Sequence, residues 1–225
     1  MFQFVLLQVD STQVADGPAF TSLFELLLKG GVIMIPLAVL LIIAFYIFFE
    51  RYFTIKKAAK VDPNFVNNIR DNVLNGNIDA AQILCKNSDT PIARMIEKGL
   101  MRIGRPLKNI EVAVENVGKL QIYKLEKGLA GLATIAGAAP MLGFLGTVMG
   151  MIGAFYNLAQ SGGEGGADLL ANDIYQALVT TATGLVIGII AYIGYNTLVS
   201  MVEKVIYRME MTSVEFIDLL QEPAS

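Results

Sequence analysis

Residues 128–163 read GLAGLATIAGAAPMLGFLGTVMGMIGAFYNLAQSGG, a run without a single Asp, Glu, Lys, Arg or His. A bilayer crossing needs only about 18 to 20 such residues, so the run spans with length to spare. As a helix, the roughly 30 residues from Gly128 onward reach about 45 Å, against a hydrocarbon thickness of about 30 Å. The excess must project beyond the lipid. Residues 30–49 and 174–202 are likewise free of charge. With 54% apolar residues and a mean hydropathy of +0.56, the chain lies well above the balance of soluble domains. These runs predict an all-α, multi-pass membrane protein with three transmembrane helices.

Charge orients the spans. Of the 17 basic residues, all but Lys29, Lys204 and Arg208 fall between Arg51 and Lys127, with Arg51, Lys56, Lys57 and Lys60 close behind the first span and Lys119, Lys124 and Lys127 just ahead of the second. The positive-inside rule places that segment in the cytoplasm. Residues 1–29 then form a periplasmic N-terminus, 30–50 the first transmembrane helix, 51–127 a cytoplasmic helical region and 128–159 the second span. A periplasmic loop follows at 160–173, the third span at 174–202 and a cytoplasmic tail at 203–225. The short apolar opening Met1–Val9 lacks a basic n-region, so it reads as an interfacial segment and not as a cleaved signal peptide. Phe20, Leu23, Phe24, Leu27 and Leu28 share one helical face behind a Ser22/Glu25 capping box, predicting a short interfacial helix.

Within the cytoplasmic segment, Asp62-Pro63, Asn77 and Thr90-Pro91 carry helix-start chemistry and predict three short helices ending near Asn75, Lys86 and Ile103. From Pro106, the stripe Ile110, Ala113, Val114, Val117, Leu120 and Leu125 predicts a helix that runs into the second span without a stop. The third span continues into Val205, Ile206, Met209, Phe216, Ile217 and Leu220, an apolar stripe in need of a partner helix. Spans two and three are thus expected to extend into a cytoplasmic helical bundle. Residues 160–168 (QSGGEGGAD) read as a flexible periplasmic link, since no strand or basic residue flanks them for phosphate binding.

The chain has no His and a single cysteine, Cys85. His-based metal sites, triads and proton shuttles are excluded, and no disulfide or Cys pair for zinc can form within the chain. No metal or cofactor is expected, and no nucleophile and base stand at a spacing that would support an enzyme. Cys85 reads as a small core residue. Spans two and three carry small residues every three or four positions: Ala139, Gly143, Gly146, Gly150 and Gly153 in one, Ala177, Gly184, Gly188 and Ala191 in the other. Such stripes pack helices closely and predict oligomerisation through these faces. Two hydroxyls, Thr147 and Thr181, sit among the small residues and are the candidate ion-pathway groups, although a threonine can also satisfy itself on its own helix. Pro140 frees a carbonyl near Ala136 and predicts a softened or kinked second span. No Asp, Glu, Lys, Arg or His lies inside the three uncharged runs, so any conducted proton needs a carboxylate from another polypeptide.

The run Ala139-Pro140-Met141-Leu142-Gly143-Phe144-Leu145-Gly146-Thr147-Val148-Met149-Gly150-Met151 resembles the second-span signature of the ExbB/TolQ/MotA proton-channel family. Gln176-Ala177-Leu178-Val179-Thr180-Thr181-Ala182-Thr183-Gly184-Leu185, followed by Tyr195-Asn196, is similar to its third-span pattern, and the loop segment 76–100 to its cytoplasmic region. The resemblance is to the ExbB and TolQ branch. It implies a homo-oligomer, a pentamer, in the bacterial inner membrane, with spans two and three lining a central cavity. It further implies two copies of an ExbD/TolR-like single-span partner whose membrane aspartate carries the proton past Thr147 and Thr181. A TonB- or TolA-like protein then receives the work; nucleic acid has no place in it. The family's glutamate at the start of span three is replaced here by Gln176, which is expected to share a helix-capping box with Asp173.

Overall fold

The computed structural model describes residues 30–60, 62, 64–160 and 166–221, so the expectations for residues 1–29 and for the centre of the glycine-rich link lie outside the described residues. Among the described residues the secondary structure is helical throughout, with no strand. Helix α1 is Met34–Ala59, α2 Phe65–Leu74, α3 Ile78–Asn87, α4 Pro91–Leu100, α5 Leu107–Glu126, α6 Leu129–Gln160 and α7 Gly166–Leu219. Three stretches are long and apolar enough to cross a membrane: Met34–Ala59, Leu107–Gln160 and Leu170–Leu219.

The 54 residues of α7 correspond to about 80 Å of helix at 1.5 Å per residue. This is far more than a bilayer needs, and the surplus is buried in the bundle. Helix α7 packs along α6 and α1 in the spans and against α2, α4 and α5 beyond them. Its apolar stripe finds its partner within the chain: Val202, Val205, Met209 and Phe216 are buried together with Ile69, Ile96, Leu100 and Val114. On α1 the buried face is narrow (Met34, Leu37, Ala44), while Ile35, Ile42, Phe45, Tyr46, Phe49 and Phe53 point outward. An outward face of bulky apolar residues suits lipid.

The start signals act locally, as local chemistry should. Thr90 Oγ1 accepts from the Ala93 backbone N–H at 3.3 Å, with Pro91 in the first turn of α4. Asn77 is the N-cap residue of α3. The Asp62 signal is displaced: Asn64 is the N-cap of α2, and Asp62 Oδ1 accepts from the Asn64 N–H at 2.9 Å. In α5 the buried face runs through Ile110, Ala113, Val114, Gly118, Gln121 and Leu125, leaving Leu120 exposed. That face turns toward α4, whose Met95 meets Gly118.

Two expectations are corrected. The second span does not run unbroken from the bundle: α5 ends at Glu126 and α6 begins at Leu129, and between them Gly128 takes φ +90°. Only glycine adopts that conformation without strain. The break is held from the side by Arg51, which donates to the Lys124 carbonyl and whose aliphatic stem lies beside Gly128. The helix that carries the third uncharged run also begins earlier than expected. Helix α7 starts at Gly166, so part of the stretch read as a loop is helical and Asp173 lies within the helix.

Cys85 is buried in the bundle, and burial, assisted by the Glu97 charge, pushes its thiol up to about 12. The thiolate is the reactive form. Cys85 should therefore resist maleimides at neutral pH until the protein is denatured, and rapid labelling of the folded chain would contradict this packing. Nearby, Asp89 joins two helices by accepting from Lys57 at 2.8 Å and Arg94 at 2.5 Å. These bonds and charges hold its carboxyl below the usual range.

Candidate functional site

The small-residue stripes of α6 and α7 face each other. A β-carbon built on Gly184 would lie 2.6 Å from the Ala139 carbonyl oxygen and 2.8 Å from the Gly143 Cα. No real side chain fits that gap, so the two helices touch backbone to backbone where Gly143 crosses Gly184. Above and below the crossing, Gly146 lies against the Thr180 side chain, Gly150 against Ala177 and Gly188 against the Pro140 ring. Helix α6 continues through Pro140 without a break. The Ala136 carbonyl, which cannot bond a proline nitrogen, also faces Gly188.

This seam changes the meaning of the stripes. A smooth face was expected to seek another copy of the chain, because a single copy would leave it against lipid. Instead Ala139, Gly143, Gly146, Gly150, Ala177, Gly184 and Gly188 meet one another within one chain. The faces left outward are bulkier: Met141, Phe144, Leu145, Val148, Ile152 and Phe155 on α6, and Leu178, Leu185, Val186, Ile189 and Tyr192 on α7.

The two candidate threonines do not form a single constellation inside one chain. Thr181 lies on the seam, where its hydroxyl donates across it to the Gly143 carbonyl at 2.8 Å. Thr147 faces away into an open cleft lined by Phe144, Val148, Met151, Ile152 and Phe155, and donates to its own helix at the Phe144 carbonyl, 2.6 Å away. A hydroxyl has one proton to give and two lone pairs to accept with. With both protons committed to carbonyls, what Thr147 and Thr181 can offer a visitor is acceptor capacity, which suits a protonated acid.

Residues that the sequence left in the background meet at the opposite end from the bundle. The buried Thr180 hydroxyl faces two carbonyls, that of Gln176 at 2.9 Å and that of Gly30 at 3.1 Å, and so ties α7 to the turn before α1. The Gln176 amide lies against Gly31, which turns with φ +70° and has no room for a side chain. The capping box between Asp173 and Gln176 does not form, because both residues lie within α7 and the helix start is at Gly166. Asp173 Oδ2 instead accepts from Asn157 Nδ2 at 3.1 Å. The i, i+4 spacing of Gln176 and Thr180 was visible in the sequence, but their partner at Gly30 lies 150 residues away. Among the described residues, no cluster of His, Cys, Asp or Glu could hold a metal ion.

Long apolar helices closing on a small-residue, hydroxyl-bearing seam and rooted in a further helical bundle define a multi-pass membrane protein. Residues 87–211 match the MotA/TolQ/ExbB proton channel family, and the chain belongs to it. It is 31% identical over 194 residues to the putative biopolymer transport protein ExbB-like 1 of Synechocystis, a match covering 84% of this chain and 76% of the relative. A putative ExbB homolog of Methanothermobacter thermautotrophicus is 28% identical, with 85% and 68% covered. The biopolymer transport protein ExbB of Neisseria meningitidis is 26% identical, with 82% and 84% covered.

Proposed function

We propose that the chain is the channel-forming subunit of a complex that couples the proton-motive force to movement of a protein reaching across the periplasm, an ExbB-like role in outer-membrane transport. What carries this reading is a seam of hydroxyls and small residues with no ionisable side chain at its centre, in a chain of a proton-channel family. Such a seam can accept a hydrogen bond from a protonated carboxyl group but cannot supply one. The proton carrier is then the membrane aspartate of a single-span ExbD- or TolR-like subunit, two copies of it within a homo-pentamer, and the driven protein is TonB- or TolA-like. Thr147, in its outward cleft, and Thr181 face the cavity where that aspartate works. Each charge crossing supplies about 2.3 kcal/mol per 100 mV, so substantial work takes several protons. A TolQ-like envelope role, or service in a gliding or secretion motor, uses the same chemistry.

The test is proton flux into liposomes holding this chain together with its single-span partner. Flux above that of empty liposomes is expected; flux equal to theirs would leave the chain as a non-conducting scaffold.

In this reading the bundle is cytoplasmic and the Gly30 end periplasmic, in the inner membrane. Because Cys85 is buried, topology is better read from the exposed Asn87. In a Cys85→Ala background, Asn87→Cys should react with a membrane-impermeant thiol reagent only after permeabilisation. Labelling in intact spheroplasts would reverse the orientation.

A further inference from the structure

Helices α1 and α7 lie side by side in a fixed register. The Gly30 carbonyl, just ahead of α1, accepts from Thr180, the Phe48 ring lies against Gly194, and the Ala59 carbonyl accepts from Arg208 at 3.2 Å. These partners are 150, 146 (194 − 48) and 149 residues apart, so the two helices run parallel. Around the middle contact an apolar groove of about 190 Å³ opens outward. Phe45 and Phe49 of α1 and Ile190, Ile193 and Thr197 of α7 wall it, with Leu132 of α6 beneath. Toward the bundle both walls turn basic. Positions 4, 7 and 11 along share a helical face: after Phe45 they are Phe49, Tyr52 and Lys56, and after Thr197 they are Met201, Lys204 and Arg208. Lys56 and Lys204 are 148 residues apart (204 − 56) and therefore stand level, both exposed. Lys56 Nζ lies 5.5 Å from the centre of the Tyr52 ring. The acids nearest in sequence are engaged or aimed elsewhere. Glu50 bonds Arg51, Asp62 accepts from the Asn64 N–H, and Glu203 stands one residue, about 100°, round α7 from Lys204. Among the described residues, Lys56, Lys204 and Arg208 form no ion pair.

The uncharged runs end at residues 49 and 202, so the groove lies within the hydrocarbon and the lysines just past its edge. From Phe45 to Lys56 is about 16 Å at 1.5 Å per residue, about half of a hydrocarbon core about 30 Å thick. An acyl chain of that leaflet fits the trough, and its headgroup reaches the cations. We propose that this groove binds an anionic phospholipid of the leaflet on the bundle side, with one acyl chain along the trough and the phosphate between Lys56 and Lys204. Apolar walls alone would hold any lipid. The level pair of cations at their end selects a negative headgroup, through attraction at the membrane surface and charge-assisted hydrogen bonds to the phosphate oxygens. Bound there, the lipid bridges α1 and α7 where the spans enter the bundle. The site lies outside the α6–α7 seam and requires nothing of conduction.

The experiment uses the purified complex, this chain with its native partner subunits, delipidated in detergent and titrated with dioleoyl phosphatidylglycerol or dioleoyl phosphatidylcholine under native mass spectrometry. The anionic lipid should bind the more tightly. One lysine beside an anionic headgroup is worth about fivefold in affinity. Lys56→Gln or Lys204→Gln should therefore weaken phosphatidylglycerol about fivefold, and the two together about thirtyfold, with phosphatidylcholine unchanged. Thr197→Trp fills the trough about two turns from Lys204 and should weaken both lipids. Lys108→Gln, which removes a cation from α5 that pairs with Glu111, should match the wild type. Glycerol 3-phosphate, a headgroup without chains, should not displace the lipid; displacement would assign the lysines to a soluble phosphate and overturn the proposal. Equal affinity for the two lipids, or wild-type phosphatidylglycerol binding in the double lysine variant, would overturn it as well. So would a changed subunit count in Thr197→Trp, which would put a second copy of the chain in the groove. If Thr197→Trp fails to fold, the exposed lysine pair decides alone.

Discussion

Leucine in place of Gly184 should leave no stably folded hairpin. The β-carbon alone would fall 2.6 Å from the Ala139 carbonyl oxygen and 2.8 Å from the Gly143 Cα, both of them backbone atoms that no rotamer change can move aside. Ordinary overpacking costs about 1 to 3 kcal/mol because side chains give way. Here α6 and α7 themselves must separate, breaking the Thr181 bond to Gly143 and opening the contacts of Gly146 and Gly188 along the seam. The expected result is loss of the thermal transition and of the monodisperse peak in detergent, for the isolated subunit as well as the complex. Gly153 provides the contrast, since a β-carbon there meets nothing within 4 Å. Gly153→Ala should be tolerated and, by the helix preference for alanine, gain up to about 1 kcal/mol. Native mass spectrometry separates the two meanings of the stripe. A Gly184→Leu protein that keeps a folded monomer and loses only its subunit count would show that the stripe serves association between chains.

The second large effect is expected on conduction with assembly intact. Thr147→Val removes a hydroxyl whose proton goes to its own helix, so little stability should be lost with it. Thr181→Val removes an interhelical bond, a contribution of about 0.6 to 1.7 kcal/mol inside membranes, which the Gly143–Gly184 contact should tolerate. Both substitutions delete oxygens that can accept from a protonated acid. If those oxygens solvate the partner's aspartate in its neutral form, the double variant forfeits about 1 to 3 kcal/mol for the unsatisfied group. A loss of 1.4 kcal/mol already corresponds to a rate about tenfold lower. Proton-driven uptake, measured alongside co-purification of the single-span partner, should fall at least that far with the subunit ratio unchanged. Normal uptake in the double variant would assign both threonines to packing alone.

Local and additive physics was legible along the chain. Whether a segment spans depends on a sum of transfer energies over its own residues. The uncharged runs 30–49, 128–163 and 174–202 accordingly coincide with apolar parts of α1, α6 and α7. The Thr90-Pro91 helix start was readable for the same reason, since donor and acceptor lie three residues apart. The stripe on the tail of α7 was readable as an unpaired face, though not as the face that α4 and α5 would cover.

Partner choice was decided only in the tertiary structure. A glycine stripe is smooth toward any other smooth surface, so periodicity cannot say whether Gly143 meets Gly184 of its own chain or of a neighbour. A threonine has the same local options everywhere along a helix. Thr147 bonds its own turn and Thr181 crosses to α6 because of what stands opposite each of them. The start of α7 at Gly166 placed Asp173 inside a helix, where Asn157 can reach it, and set Gln176 against a turn 145 residues upstream, at Gly31 (176 − 31). Segment free energies add along the sequence, whereas a contact depends on both of its surfaces, and only the folded chain brings the second one into place.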